Sequence, residues 1–129
     1  MKQLRAICNK YNIIIFIDLA HSLGCVPIDL YELDVDAAVM STSKFLNSGP
    51  GSIGGLYVHP RHKGVKSGMR GWFGIDRAVL TLQNPEYAPS KDGLKRFQIS
   101  GFDPAKLAMV DAALSYFVEA GMDNVTTKT

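Results

Sequence analysis

The sequence feature that most constrains the fold is an unbroken apolar run, residues 13–17, which ends in the carboxylate of Asp18. Its residues are mostly β-branched and do not alternate with polar ones. Such a run is typical of a strand that is covered on both faces in a parallel sheet. Shorter apolar runs at 37–40 and 56–58 predict two further strands, the last of them stopped by Pro60.

Helical patterns lie on both sides of these strands. Residues 2–11 carry apolar side chains at helical spacing, which predicts an amphipathic helix. A second helix is predicted from its N-cap Asp103, with Pro104 in the first position and Gly121 at its end, and an apolar stripe runs along it. Helices alternating with buried strands indicate an α/β fold with parallel pairing. Residues 64–100 show little regularity, which is typical of a functional or disordered segment.

Composition excludes several classes of protein. The 129 residues carry a net charge of +2 with scattered basic residues, so we expect no nucleic-acid partner. The two cysteines, Cys8 and Cys25, lack the spacing of a metal site, so we expect no metal and a reduced, cytoplasmic chain. No run is long enough to span a bilayer, so we expect no membrane partner. A start directly in a helix, with no strand before it, predicts a piece of a larger protein.

Two residues suggest chemistry because of where the strands end. Asp18 ends the first run, and Lys44 follows the second. Ligands of open α/β sheets bind beyond the carboxyl ends of strands. An amine there can form a Schiff base with the aldehyde of pyridoxal phosphate, while a carboxylate keeps its ring nitrogen protonated. Taken alone, Asp18 also fits a turn cap, His21 a structural histidine and Lys44 a surface lysine.

Glycines mark two further segments. Those at 49, 51, 54 and 55 match neither a phosphate-binding loop nor a dinucleotide fingerprint, and they predict a tight turn into the third strand. Trp72 stands between Gly71 and Gly74, where little local packing is available. Its indole N–H needs an acceptor, which a phosphate oxygen or a backbone carbonyl would provide.

Five motifs together resemble kynureninase, a family of pyridoxal-phosphate hydrolases. They are Asp-Leu-Ala-His at 18–21, Ser-Lys-Phe-Leu-Asn at 43–47, Gly-Ser-Ile-Gly-Gly at 51–55, Gly-Trp-Phe-Gly at 71–74 and Phe-Gln-Ile-Ser at 97–100. The resemblance implies part of the large cofactor-binding domain of an aspartate-aminotransferase-like (fold type I) enzyme, with a mostly parallel sheet and flanking helices. It covers the central part of such an enzyme, which implies that an N-terminal part and a C-terminal domain are missing.

The same resemblance implies roles for individual residues. Lys44 would be the Schiff-base lysine and proton shuttle, Asp18 would hold the pyridinium nitrogen, and His21 would line the cofactor pocket. Trp72 would contact the phosphate, in this family from the neighbouring subunit of a homodimer. The implied reaction is hydrolysis of L-kynurenine or its 3-hydroxy form to anthranilate, or the hydroxylated product, and alanine, a step of tryptophan catabolism and NAD biosynthesis.

Three positions depart from the family pattern. Ser43 stands where a phosphate-binding tyrosine usually precedes the lysine, and its hydroxyl is shorter and far less acidic. Gly101 replaces a polar residue that contacts the phosphate, and Gln98 replaces an arginine. These changes weaken the phosphate contacts, and we expect the chain alone to be catalytically incompetent.

Two other readings remain open. A cysteine desulfurase or related class-V aminotransferase-like enzyme would place a histidine before the lysine and a catalytic cysteine downstream. Here Ser43 precedes Lys44, and no cysteine follows Cys25. A degenerate, non-catalytic domain is the third reading: loss of phosphate contacts favours it, and retention of both Asp18 and Lys44 opposes it.

Overall fold

The computed structural model describes residues 1–69, 71–76 and 88–128. Three strands, three α-helices and three short 3-10 turns make up its regular structure. In chain order the helices and strands are α1 (Lys2–Lys10), β1 (Phe16–Asp18), β2 (Ala37–Ser41), β3 (Gly54–Val58), α2 (Pro104–Ala120) and α3 (Met122–Lys128). The 3-10 turns cover Pro60–His62, Trp72–Gly74 and Lys95–Phe97.

The strands form one sheet in the order β1-β2-β3. β1 and β2 are parallel, with Asp18 opposite Val39, whereas β2 and β3 are antiparallel, with Ser41 opposite Gly54. The α/β class and the expected parallel pairing are thus confirmed for the first two strands. The third strand runs in the opposite direction: the chain turns back after Ser41 and re-enters the sheet at Gly54 as an antiparallel neighbour of β2. The sheet is therefore mixed.

The first predicted strand is shorter than its apolar run. Only Phe16–Asp18 pairs with β2, while Ile13 and Ile14 are exposed beside it. Phe16 is itself 59% exposed, so β1 is not covered on both faces as the pattern predicted. Among the described residues β1 is an edge strand, and the packing on its faces leaves the Phe16 side chain largely uncovered.

The predicted helices are confirmed almost to the residue. Asp103 accepts a hydrogen bond from the N–H of Ala105 and caps α2, and Gly121, at a φ of 75°, ends it. The predicted apolar stripe is only partly buried: Val110 is covered, but Val118 is 83% exposed. None of the helices in the described ranges is long and apolar enough to cross a membrane.

A small core and a buried ion pair fix α1 against the sheet. Cys8, Ile15 and Val35 form the core cluster. Beside it, Arg5 Nη2 lies 2.6 Å from Asp36 Oδ2, and the N–H of Ile15 donates to the same oxygen at 2.8 Å. The pair therefore joins α1 to the residues that precede β1 and β2.

The chain divides into two compact units. The first, the sheet unit, comprises Met1–His59 and Phe102–Thr129. The second, Pro60–Gly101, contains the 3-10 turns and a β-bridge between Ile75 and Pro89. Asp18, His21, Ser43 and Lys44 belong to the sheet unit, whereas Trp72 and Gly101 belong to the second.

Candidate cofactor site

The structure brings the chain segments that carry Asp18 and Lys44 to the same end of the sheet. Asp18 is the last residue of β1, and Lys44 follows three residues after β2 ends at Ser41. Because β1 and β2 are parallel neighbours, their carboxyl ends lie side by side. The N–H of Leu19 donates to the carbonyl of Val39 at 2.8 Å, which extends this pairing past Asp18.

Asp18 combines a local bond with an available oxygen. Its Oδ1 accepts the N–H of Ala20 at 2.8 Å, so it does cap the following turn, one of the two readings of the sequence. Within the described residues no cation pairs with it, and its side chain is exposed. An aspartate that keeps one oxygen for its own turn still has the other for a ligand.

Lys44 lies on a loop that is closed at its base, residues 42–53, called the lysine loop below. The buried Thr42 hydroxyl donates to the carbonyl of Ile53 at the far end of the loop. The carbonyl of Thr42 accepts the N–H of Ser48 at 3.0 Å. Lys44 itself is exposed, and its amine makes no hydrogen bond or ion pair with the part of the chain that the structure describes.

A tight turn follows Lys44 directly. The N–H of Asn47 donates to the carbonyl of Lys44 at 3.0 Å, and the Asn47 side-chain amide donates to the carbonyl of Phe45 at 3.0 Å. Asn47 has a φ of 59°, a left-handed conformation that asparagine tolerates better than most residues. Backbone and side chain of one asparagine thus fix the two peptides next to the lysine.

Hydroxyl groups precede the lysine. Ser41 Oγ and Ser43 Oγ lie 3.0 Å apart and share a hydrogen bond. Both side chains are half-buried, so each still reaches solvent. Serine hydroxyls donate and accept, and together they offer short donors to an anion next to Lys44.

His21 lies against the other side of the lysine loop. Its ring centroid is 6.3 Å from that of Phe45, with an angle of 72° between the planes, an edge-to-face contact. His21 is exposed. The connection that leaves Asp18 therefore contacts the residue that follows Lys44, as the predicted shared pocket requires.

The predicted glycine turn is confirmed. Gly49 and Gly51 have φ values of 87° and 67°, which residues with a side chain rarely adopt. Gly54 and Gly55 begin β3. These glycines shape the return of the lysine loop and form no phosphate-binding helix start.

In the second unit, the motifs at 71–74 and 97–101 pack on each other. A Cβ on Gly71 would overlap the backbone of Ile99, and one on Gly101 would lie 2.9 Å from the ring of Phe73. Trp72 is 61% exposed. Trp72 lies in the 3-10 turn Trp72–Gly74, and the close contact of Gly71 with Ile99 fixes that turn to the motif at 97–101.

The residues of the sheet unit suit a pyridoxal phosphate site. Such a site needs an amine for the aldehyde, a carboxylate for the ring nitrogen and donors for the phosphate. Lys44 provides an amine that has no partner in the described ranges, Asp18 a carboxylate on the neighbouring strand end, and Ser43 a hydroxyl. All of these groups lie at the carboxyl ends of β1 and β2.

Comparison with known proteins decides the family. The whole chain, residues 1–129, matches the family described as aminotransferase class-V. The chain belongs to this family. The fold type I architecture expected for this chain is thereby confirmed.

This class-V aminotransferase family member is similar to curated kynureninases. Kynureninase of Sclerotinia sclerotiorum is 34% identical over 140 residues, which is 100% of this chain and 29% of the relative. Kynureninase 1 of Neurospora crassa is 38% identical over 120 residues, covering 86% of this chain and 24% of the relative. The chain thus spans less than a third of the length of the curated relatives it matches.

Solved structures show the same fold. A variant of C-DES with glycine covalently linked to its pyridoxal phosphate cofactor has a TM-score of 0.74 and 26% identity, covering 91% of this chain and 30% of the other. The apo cysteine desulfurase of Thermococcus onnurineus has a TM-score of 0.71 at 20% identity, covering 92% and 28%. At that identity the likeness to the desulfurase shows the fold alone.

Two features of this class-V member were not predicted from its sequence. Gly24 packs directly on the lysine loop, and its only sequence signal was a glycine within the connection after His21. The ion pair of Arg5 and Asp36 joins residues 31 positions apart, and no local pattern identifies such a partner. Both features bear on where Asp18 and Lys44 lie.

Proposed function

We propose that this chain carries the cofactor-binding centre of a kynureninase-like hydrolase. The observation that carries the proposal is the placement of Asp18 and Lys44 at the ends of adjacent parallel strands, in a chain 34–38% identical to kynureninases. The cofactor is pyridoxal 5′-phosphate, which family membership and the cofactor-linked C-DES relative both support.

Each residue of the centre has a proposed task. The Lys44 amine would hold the cofactor through its aldehyde carbon and would move a proton at the α-carbon of the substrate. Asp18 would keep the ring nitrogen protonated, because a carboxylate next to a cation favours the protonated form. The cofactor would supply a ring that accepts electron density from the substrate.

The remaining site residues shape the pocket around these two. His21 lines it beside Phe45, and Ser43 offers a short hydroxyl to the phosphate. The family resemblance also assigns Trp72 a phosphate contact, its indole N–H donating to the cofactor of the neighbouring subunit of a homodimer. Gly101 stands where the family has a polar phosphate contact, and it offers no side chain for one.

The proposed reaction breaks one carbon–carbon bond of a small amino acid with water. The hydroxyl of the water joins the aryl carbonyl carbon and yields anthranilate, or its 3-hydroxy form. The released three-carbon fragment gains a proton and leaves as alanine. Lys44 is the group placed to donate and remove protons there, since Ser43 is too weak an acid to replace a phenol.

The chain is proposed to be part of the large domain of this cytoplasmic enzyme. Pre-organised positioning provides much of an enzyme's acceleration, so a partial site is expected to turn over poorly. Cofactor attachment, rather than kynurenine cleavage, is therefore the informative assay for the chain itself.

The experiment is reductive trapping. The chain is incubated with pyridoxal phosphate, reduced with borohydride, digested and read by peptide mass spectrometry. The proposal expects pyridoxyl label concentrated on Lys44 and lost, without spreading, in Lys44→Ala. Lys10→Ala, which removes an exposed helical lysine, is the matched control. Label spread evenly over the lysines would refute the assembled centre.

The desulfurase reading keeps one supporting observation, the shared fold with a cysteine desulfurase and C-DES. It needs a nucleophilic cysteine, and none follows Cys25 in this sequence. Sulfide released from cysteine, with no anthranilate released from kynurenine, would favour it. A degenerate domain would trap no cofactor.

A further inference from the structure

Gly24 lies against the peptide that follows Lys44. The residue is buried, and an added Cβ would lie 2.8 Å from both Phe45 C and Leu46 N and 2.9 Å from Phe45 O. Those three atoms form the Phe45–Leu46 peptide. Real Cβ atoms do not approach backbone so closely, so a side chain here would push the lysine loop away. With a φ of 90°, the backbone of Gly24 also favours glycine.

The segment that presents Gly24 starts directly from Asp18. Leu19 continues the β1–β2 ladder, and its carbonyl accepts the N–H of Ser22 at 3.1 Å and of Leu23 at 3.2 Å. The carbonyl of Ser22 then accepts the N–H of Cys25 at 3.1 Å. Consecutive hydrogen-bonded turns therefore run from the end of β1 to Gly24. A rigid connection of this kind transmits the position of the strand end to whatever it touches.

Hydrogen bonds through Asn47 connect the Phe45–Leu46 peptide to Lys44. The carbonyl of Phe45 accepts the Asn47 side chain at 3.0 Å, and the carbonyl of Lys44 accepts the Asn47 N–H at 3.0 Å. Leu46 is buried, so the peptide cannot swing outward freely. A shift of this peptide therefore changes the direction in which Lys44 leaves the loop.

We propose that Gly24 is a positioning residue which sets Lys44 relative to Asp18 through the Phe45–Leu46 peptide. The catalytic meaning of that placement rests on the function proposed above, whereas the mechanical coupling does not. Gly24 touches neither substrate nor cofactor in this proposal. It acts by having no side chain where two segments of one site meet.

The test compares Gly24→Ala with Gly121→Ala. Gly121, which ends α2 outside the lysine loop, has a φ of 75°, and its added Cβ would lie 3.9 Å from Asn124 Nδ2 with no closer contact. Both variants thus place alanine at a positive φ, but only Gly24→Ala crowds the lysine loop. Circular dichroism first establishes that each full chain is folded.

The first readout needs no cofactor. Amide hydrogen exchange is followed at Asn47 and Ser48, whose N–H groups close the turns of the lysine loop. Gly24→Ala should speed their exchange at least about tenfold, and Gly121→Ala less than about threefold, because local opening governs exchange of such amides. Unchanged exchange in folded Gly24→Ala would overturn the proposal.

Two further measurements separate the possible failures. In the unsubstituted chain, a nuclear Overhauser effect is expected between the Gly24 α-protons and the Leu46 amide proton, and its absence would overturn the contact. Complete unfolding of Gly24→Ala, with Gly121→Ala folded, would also overturn the proposal, because Gly24 would then support the whole fold. Trapping should show the Lys44 share of pyridoxyl label falling in Gly24→Ala. If the unsubstituted chain shows no Lys44 preference while exchange responds as expected, only the proposed function fails.

Discussion

Removal of the Arg5 guanidinium is expected to be the most damaging single change outside the site. Arg5 lies 2.6 Å from the buried Asp36, donates to the carbonyl of Asp34 at 2.8 Å and donates to Asn9 at 3.2 Å. Arg5→Met leaves the Asp36 carboxylate buried without its cation. Breaking a buried pair in this way costs about 3–5 kcal/mol, against a usual total stability of about 5–15 kcal/mol.

Urea unfolding followed by circular dichroism measures this loss. The double variant Arg5→Met with Asp36→Asn should regain at least about half of it, because no unpaired charge remains in the interior. Lys2→Met changes an exposed lysine of the same helix and should cost less than about 0.5 kcal/mol. A loss below about 1 kcal/mol in Arg5→Met, or strictly additive losses in the double variant, would refute the reasoning.

The pH dependence of this contribution follows from the pKa of Arg5. The hydrogen bond to Asp36 is the main cause that raises the pKa of the Arg5 guanidinium above its ordinary value, although burial opposes it. A raised folded-state pKa means that the stabilisation is fully present below the unfolded value and is lost only as the pH rises through the folded one. Raising the pH up to the ordinary arginine pKa should therefore leave the stabilisation from the Arg5–Asp36 pair intact.

Three other substitutions test separate parts of the chain. Lys44→Ala should remove the selective pyridoxyl label while leaving the circular dichroism spectrum unchanged, since its amine has no partner among the described residues. Asp103→Ala should cost about 1 kcal/mol in urea unfolding through loss of the α2 cap, whereas Asp111→Ala, exposed on the same helix, should cost less than half of that. Gly71→Ala should increase acrylamide quenching of the single tryptophan, because the new Cβ would overlap Ile99 and release its turn, and unchanged quenching would contradict that packing.

Local chemistry made the second helix predictable. An Asp103 side chain that accepts a backbone N–H and a glycine at positive φ define the two ends of α2 without help from the rest of the chain. Asp18 and Lys44 were predictable for a different reason. Parallel strands carry their carboxyl ends to one edge, so two strand-end residues share that edge once the pairing is known.

The first strand and the packing contacts were less predictable. Ile13 and Ile14 have the composition of a buried strand but are exposed, and they lie outside the residues of β1 that pair with β2, Phe16–Asp18. An apolar pattern indicates that a side chain favours burial, and it does not say which segment covers it. The contact of Gly24 with the lysine loop depends on two segments that meet only after folding, so the sequence offers no periodic signal for it.

The two reactive groups rest on supports of different strength. Lys44 follows a strand paired over five positions with β3, and the loop that carries it is closed by Thr42 and Ile53. Asp18 ends a strand paired with β2 over only three positions.

The start of β1 is held by the buried ion pair. Asp36 accepts the N–H of Ile15, which precedes β1, and also binds Arg5. Because one buried carboxylate holds both the start of β1 and helix α1, loosening the ion pair should disturb Asp18 before it disturbs Lys44. The contact at Gly24 then matters more, since it ties the connection after Asp18 directly to the peptide after Lys44, beside the edge contact of His21 with Phe45.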